Sequence, residues 1–169
     1  MADRIAVLIG GRLLQVATPE EVYRDPRHID VATFIGSPRI NLLSARLSTD
    51  RAALWEGHAL LHGVAGIPGD PIRLGIRPED LRLSGQSLPG AVPVGVVRVE
   101  FLGADTLVHL IGAAMPEPMV AKMPAERTAG ARGGDRLFMT VDPGSVLAFG
   151  KDGARLSADG LPLPQRAHG

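Results

Sequence analysis

The residues with catalytic or metal-binding side chains are scattered along this sequence and form no recognised catalytic arrangement. His58 and His62 lie four residues apart, but no Cys, Asp or Glu occupies a convincing position for a third metal ligand. Glu100 and Asp105 flank one predicted hairpin, yet no Ser-His-Asp or Cys-His order accompanies them. The chain has no cysteine, which excludes a thiol nucleophile, a thiolate metal site and a disulfide. We therefore predict neither a metal site nor an enzyme.

Two stretches approach the motifs of nucleotide-binding proteins without meeting their requirements. A phosphate-binding loop has four residues between its first glycine and the sequence Gly-Lys-Ser/Thr, so that backbone amides and the lysine surround the phosphate. The stretch from Gly144 to Lys151 is one residue too long and continues with Asp152. Residues 83–86, Leu-Ser-Gly-Gln, approach an ATPase signature loop but lack its second glycine. We expect no cofactor in this chain and no ATP hydrolysis by it.

The most specific local pattern is a charged corner at residues 74–81, Leu-Gly-Ile-Arg-Pro-Glu-Asp-Leu. Proline fixes its own φ and favours an extended backbone at the preceding residue, so Pro78 predicts a rigid turn that holds Arg77 and Glu79 between two strands. Three interpretations remain open for this corner. It is a latch between neighbouring parts of the structure, the rim of a binding site, or a solvated strand end that carries Arg77, Glu79 and Asp80.

The composition indicates a β-rich protein without a strong electrostatic preference. The 169 residues include 18 basic and 18 acidic side chains. This balance argues against nucleic acid or an anionic membrane surface as the main partner. No apolar run reaches the roughly 20 residues needed to span a bilayer. The 21 glycines and 14 prolines separate many short apolar runs, which is typical of barrels and sandwiches.

The first 38 residues are predicted to form a β-hairpin followed by two short helices. The hairpin turns at Gly10-Gly11, and the first helix begins after Thr18, with Pro19 in its first turn. The second helix would begin at residues 28–30 and present Val31, Phe34 and Ile35 on one face. These elements have no evident packing partner within the segment itself.

The remainder, residues 39–156, is predicted to consist of short strands that form a β-rich barrel or sandwich, followed by a flexible tail at residues 157–169. The polar loop at residues 84–89 is interpreted as a division between two half-barrels. His109 alternates with apolar neighbours and is expected to face solvent. Fraying is predicted beyond Gly153.

A series of stretches in fixed order makes the chain recognisable: residues 2–8, 11–12, 15–16 and 18–23, Pro26, residues 31–32, 34–38 and 41–43, the corner at residues 74–79, and Val-Glu-Phe-Leu-Gly at residues 99–103. Together they resemble the C-terminal part of the ATP-binding subunit of an ABC sugar importer of the maltose and glycerol-phosphate type. Residues 1–38 resemble the end of the nucleotide-binding domain. Residues 39–156 resemble the TOBE (transport-associated OB) regulatory domain, which implies an OB-like β-barrel.

The resemblance implies a regulatory and dimerisation domain of an ABC-type carbohydrate importer. In that family the Walker A loop, the signature loop, the Walker B carboxylate and the switch histidine all precede the region that this chain resembles. The parent protein would therefore use ATP and Mg²⁺, whereas this chain would not. It would form a homodimer through the regulatory domain. The parent would pair with transmembrane permease subunits at the cytoplasmic face of the membrane, without nucleic acid and without direct membrane insertion.

Five residues are candidates for the regulatory interface: Arg77, Glu79 and Asp80 at the corner, and Glu100 and Gly103 at the second hairpin. The alternative role for these residues is to stabilise the barrel through strand-end salt bridges and turn geometry. Exposed ion pairs contribute only about 0–1 kcal/mol, so their spacing alone does not decide between the two roles.

A second hypothesis is a barrel that binds a small oxyanion or sugar. Arg73, Arg77 and Arg98 are its candidate donors, although no glycine-rich anion nest accompanies them. Nucleic-acid binding requires exposed aromatics among basic residues, and one Trp, one Tyr and four Phe provide little of this. The open strand edges of the hairpin at residues 3–16 would favour self-association.

Overall fold

The computed structural model describes residues 3–113, 115–128 and 130–158, and it is mainly β, with 47% strand and 14% helix. The predicted class, an OB-like barrel preceded by a hairpin and two helices, is confirmed. The elements in chain order are β1 (Ile5–Ile9), β2 (Arg12–Ala17), α1 (Pro19–Arg24), α2 (Ile29–Phe34), β3 (Asn41–Leu47), β4 (Ala53–Trp55), β5 (His58–Leu61), β6 (Pro71–Ile76), β7 (Leu81–Ser84), β8 (Val92–Phe101), β9 (Asp105–Ile111), β10 (Met119–Pro124), β11 (Arg136–Val141), β12 (Leu147–Phe149) and β13 (Arg155–Leu156).

Local chemistry sets the hairpin and the starts of both helices. Gly10 and Gly11 have φ values of +57° and +75°, the left-handed conformations that a two-residue hairpin turn needs. Thr18 and Glu21 form a reciprocal capping box at the start of α1. His28 caps α2, because its Nδ1 accepts a hydrogen bond of 3.2 Å from the Asp30 amide. These predicted elements are therefore present.

The first sheet has six strands in the order β13-β12-β6-β3-β4-β5. Its two ends meet: Val64 and Ala158 form an antiparallel bridge, and the Ala65 amide donates to the Ser157 carbonyl at 2.8 Å. The prediction of fraying beyond Gly153 is therefore wrong for residues 154–158, and residues 157–158, assigned to a tail, help to close the barrel. Strand pairing over more than 90 residues leaves no local signal that could have shown this.

The second sheet has five strands in the order β10-β9-β8-β11-β7. The chain enters it at the corner between β6 and β7 and leaves it after β11, because β12 and β13 belong to the first sheet. The loop at residues 84–89 therefore connects two strands of one sheet and does not divide two half-barrels. The corner at residues 77–80 is the first crossing between the sheets.

One apolar core is shared by both sheets, with Leu74, Leu110 and Met139 among its fully buried side chains. A smaller cluster lies under α2, where Ala32 and Ile40 pack with Phe149. Gly75 permits this packing, because a Cβ there would lie 2.9 Å from Ile40 Cδ1 and 3.1 Å from Phe149 Cε2. The helix pair is thereby held on the outside of the first sheet.

The predicted apolar face of α2 is partly wrong. Val31 is fully buried, but Phe34 is 69% exposed. Ala32 packs in the Phe149 cluster, and a helix turns about 100° per residue, so Phe34 lies about 200° away from Ala32, on the solvent side. The small alanine, rather than the large phenylalanine, makes the contact with the barrel.

Candidate functional site

The corner between β6 and β7 has the backbone geometry that its proline predicts. Arg77 is extended, with φ −67° and ψ 143°, and residues Pro78–Asp80 form a 3₁₀ turn. The Asp80 amide closes the turn on the Arg77 carbonyl at 3.0 Å. The turn therefore holds the three charged residues, Arg77, Glu79 and Asp80, on one short segment.

Arg77 points inward, to the helix pair. Its side chain is buried, with the residue only 4% exposed. Nη1 donates to the carbonyls of Ala32 and Ile35 at 3.1 and 2.7 Å, and Nη2 donates to the carbonyl of Tyr23 at 2.8 Å. The guanidinium also lies over the Tyr23 ring, 4.0 Å from its centroid. One side chain on the barrel thus binds the C-terminal ends of both α1 and α2. We call this contact the Arg77 junction.

The last carbonyls of a helix have no partner within the helix, and a cation at that end is favoured by the helix dipole. Arg77 supplies this partner to both helices. Burial lowers the pKa of its guanidinium, and the nearby Tyr23, Glu79 and Asp80 oppose this effect. Its Nε finds no acceptor within the described part of the chain. Of the three interpretations of the corner, the geometry matches a latch.

Tyr23 forms a second contact between α1 and the corner. Its hydroxyl donates to Glu79 Oε1, so the ring that stacks on Arg77 is also tied to the turn. Burial, and then the hydrogen bond to Glu79, raise the pKa of the Tyr23 phenol to about 12. Burial, followed by the charge of Glu79, raises the pKa of Asp80, and a hydrogen bond with Ser145 opposes that rise. The anions at the corner are therefore held close to one another and to Arg77.

Two residues of this junction were not predicted. Tyr23 and Gly36 entered the sequence analysis only within residues 18–23 and 34–38, as part of the family resemblance. Gly36 has φ +116°, and a Cβ there would lie 3.1 Å from Arg77 Nη1 and 3.3 Å from the Tyr23 ring. The position therefore needs glycine both for its backbone and for the space that the guanidinium occupies. A glycine directly after a predicted helix was the only signal in the sequence.

The other two candidates, Glu100 and Gly103, lie on the hairpin of β8 and β9 and are not part of the junction. Glu100 Oε1 lies 2.6 Å from Arg98 Nη2 and 3.0 Å from His109 Nε2. The prediction that His109 faces solvent is wrong, because its side chain is only 14% exposed beside Glu100. Gly103 has φ +86° at the turn, where Phe101 and Leu102 are exposed.

The three arginines of the oxyanion hypothesis do not converge. The terminal nitrogens of Arg77 are occupied by three carbonyls, and Arg98 contacts Glu100. Only Arg73 lines a cleft as an exposed side chain. Among the described residues no group of three His, Cys, Asp or Glu side chains could hold a metal ion. In the same part of the chain, no helix has the length and apolar character needed to cross a membrane.

Asn41 is a further residue that sequence reasoning missed. Its Nδ2 donates to the carbonyls of Ile76 and Val120 at 3.1 and 2.9 Å, and its Oδ1 accepts from the Val120 amide at 2.7 Å. The side chain therefore bonds the backbone of β10 as a neighbouring strand would, and it connects the second sheet to β3 of the first sheet. Asn41 lies one residue from Ile40, which packs under α2, so the helix pair, the first sheet and the second sheet are connected in series.

Comparison with known sequences places a family domain on this framework. Residues 74–149 match the TOBE domain family. The chain is 36% identical over 156 residues to the sulfoquinovosyl glycerol transport ATP-binding protein SmoE of Agrobacterium fabrum. This alignment covers 88% of the chain and 42% of SmoE. It is 34% identical over 163 residues to the alpha-glucoside transport ATP-binding protein AglK of Rhizobium meliloti, covering 90% of this chain and 43% of AglK.

A third relative gives a higher identity over a shorter region. The sn-glycerol-3-phosphate import ATP-binding protein UgpC of Rhizobium meliloti is 46% identical over 112 residues, which cover 64% of this chain and 30% of UgpC. The chain thus spans less than half the length of these relatives, in their C-terminal region.

A solved structure shares the fold. The cytoplasmic molybdate-binding protein ModG, with molybdate bound, superposes with a TM-score of 0.54 at 13% sequence identity and covers 64% of this chain and 94% of ModG. At this identity the likeness concerns the fold alone.

Proposed function

Because this chain carries a TOBE domain and resembles the C-terminal region of the ATP-binding subunits of ABC importers for sugars and glycerol phosphate, we propose that it is the regulatory and dimerisation region of such a subunit in a carbohydrate importer. ATP and Mg²⁺ would be bound elsewhere in the parent protein. The parent would work with transmembrane permease subunits at the cytoplasmic face of the membrane.

The observation that carries this proposal is the Arg77 junction. A regulatory domain influences a neighbouring domain through direct contact only if fixed interactions connect the two. Here one buried cation binds three carbonyls at the ends of α1 and α2, so the helix pair cannot turn on the barrel without losing these hydrogen bonds. A displacement of the helices would therefore be passed to the corner between the two sheets.

The surface that we propose for dimerisation is the tip of the β8–β9 hairpin. Phe101 and Leu102 are adjacent there and are 71% and 59% exposed. Arg98 and Glu100 form an ion pair on the strand that leads to this tip. A two-fold contact places the same patch on both copies, so Arg98 of one copy can meet Glu100 of the other while the apolar tips pack together. A second copy of this chain fits both the apolar and the charged parts of the patch.

Light scattering over a concentration series tests this assignment. We expect the intact chain to form a dimer, and we expect Phe101→Ser combined with Leu102→Ser to weaken it at least tenfold. Phe34→Ser is the matched control, because Phe34 is exposed to 69% on α2 and lies outside the patch. A monomer at every concentration contradicts the dimerisation proposal. An equal loss of dimer in the Phe34→Ser variant contradicts the assigned surface. Circular dichroism of each variant shows whether the fold is retained.

A further inference from the structure

A cleft lies between the start of α2 and the first sheet. Its volume is about 470 Å³. One wall is formed by residues 28–30 at the start of α2, the other by the turn at residues 150–153, and the floor by residues 44–45 of β3 and 71–73 of β6. We call it the His28–Lys151 cleft. Binding sites for small molecules occur preferentially at junctions of this kind.

The two walls are fixed to one another. The Ile29 amide donates to the Gly153 carbonyl at 2.8 Å, and His28 Nε2 lies 3.1 Å from the Asp152 carbonyl. Gly153, at φ +82°, packs so closely that a Cβ there would lie 2.6 Å from His28 Nε2. The Arg155 amide donates to the Arg27 carbonyl at 3.0 Å just beyond the turn. The cleft is therefore preformed and needs little ordering when a ligand enters.

The charged side chains of the cleft are balanced in sign. Arg73 and Lys151 are exposed cations, and neither forms an ion pair with any residue in the described ranges. Asp30 lies 3.3 Å from His28 Nδ1, and Asp152 Oδ1 accepts from the Ala154 amide, which leaves free lone pairs on both carboxylates. A cleft with two cations and two carboxylates offers no net attraction to a small anion.

The floor adds an apolar surface and one more hydroxyl. Ile29 and Pro71 contribute apolar atoms, and Ser44 lies directly across the strand pair from Arg73. Donors from Arg73, Lys151 and Ser44 thus face acceptors from Asp30 and Asp152 over an apolar base. A ligand that matches this set has hydroxyl groups around its edge, which both donate and accept, and C–H groups on its face.

We propose that the His28–Lys151 cleft binds a neutral saccharide of one or two rings. The volume suits a molecule of this size, and the balance of charge distinguishes it from a phosphate or another oxyanion. A ligand here would contact the start of α2 and the barrel together and so would strengthen the attachment that the Arg77 junction provides. The regulatory consequence rests on the function proposed above, whereas the binding itself does not.

Isothermal titration of the intact chain tests the site. The neutral probes are D-glucose and maltose, and the anionic probes are inorganic phosphate and sn-glycerol 3-phosphate, each up to about 20 mM, which is enough to saturate a site of millimolar affinity. We expect one of the neutral sugars to bind, and we expect Arg73→Gln and Lys151→Gln each to weaken that binding at least fivefold. Arg136→Gln, an exposed arginine on β11 outside the cleft, is the matched control and is expected to leave it unchanged.

Three results would overturn the inference: no heat from either sugar, tighter binding of phosphate than of both sugars, or sugar binding that survives both cleft substitutions unchanged. Light scattering on the same samples keeps the two proposals separate. A dimer that binds no sugar contradicts only the saccharide site, whereas a monomer that binds sugar contradicts only the dimerisation proposal.

Discussion

Replacement of Arg77 by methionine tests whether the Arg77 junction holds the helix pair on the barrel. The substitution keeps an unbranched side chain in the buried space but removes all donors to the carbonyls of Tyr23, Ala32 and Ile35. A hydrogen bond from a charged donor contributes about 1.5–3 kcal/mol net. Removing a buried cation also relieves a desolvation cost of several kcal/mol, which offsets part of the three lost bonds. We therefore expect a loss of about 3 kcal/mol in the attachment of the helices, at the lower end of the range for breaking a buried charged contact.

Two readouts separate this local effect from general destabilisation. Hydrogen exchange at the amides of Val22, Asp25, Ala32 and Ile35 reports α1 and α2, because these amides bond to helix carbonyls. The single tryptophan, Trp55, is 3% exposed in β4, so its fluorescence in urea reports unfolding of the first sheet. We expect the helical amides to exchange about a hundredfold faster in Arg77→Met, since about 3 kcal/mol corresponds to this factor. The Trp55 transition is expected to shift less.

The control for this experiment is Arg136→Met on β11. Arg136 is exposed and has no ion pair within the described ranges, so its replacement is expected to change stability by no more than about 0.5 kcal/mol. Arg77→Lys keeps the charge without the planar fork and is expected to fall between wild type and Arg77→Met. Unchanged exchange of the helical amides in Arg77→Met would refute the role assigned to the junction.

Further predictions follow from the same contacts. Tyr23 is the chain's single tyrosine, so the ultraviolet absorbance of its phenolate should titrate near pH 12, and at lower pH in the Glu79→Gln variant. The pKa of Tyr23 in the folded protein exceeds the unfolded value of about 10. Its contribution to stability is therefore present below pH 10 and is lost as the pH rises towards 12. A midpoint near 10 would contradict the burial of Tyr23 and its contact with Glu79. Asn41→Ala should lower the free energy of unfolding in urea by about 2–3 kcal/mol, because it leaves one buried and two partly buried backbone groups without their partner. Ser44→Ala, on the exposed face of β3, should change it little. Gly103→Ala should lower the free energy of unfolding by about 1 kcal/mol, because φ at this position is +86°. No atom lies within 4 Å of the added Cβ, so the loss comes from the backbone conformation alone. An unchanged melting temperature would contradict that conformation.

The features that the sequence predicted correctly depend on residues close together in the chain. Gly10-Gly11 sets a hairpin turn, Thr18 and Glu21 cap a helix, and Pro78 sets the corner, each through its own backbone preferences or a neighbour three residues away. The corner's position between two strands followed from the same local pattern, whereas its position between the two sheets did not.

The features that could not be predicted depend on distant partners. The local sequence around Arg77 is compatible with an exposed charged side chain. Its burial depends on the carbonyls of residues 23, 32 and 35, which lie between 42 and 54 positions away in the chain. Asn41 binds Val120 across 79 positions, and Ala158 pairs with Val64. His109 is partly covered because Glu100, on the neighbouring strand, reaches it. In each case the residue type permits two environments, and the tertiary fold selects one of them.

The distance between identical positions of two copies tests the dimerisation proposal most directly. The chain contains no cysteine, so Ala104→Cys, at the exposed β8–β9 turn, provides one spin label per copy. Pulsed electron paramagnetic resonance should then give a narrow distance distribution at the short end of the measurable range. A label at Arg12→Cys, on the exposed β1–β2 hairpin, should give a longer one. The absence of any dipolar signal from Ala104→Cys, or a shorter distance at residue 12 than at residue 104, would contradict the account.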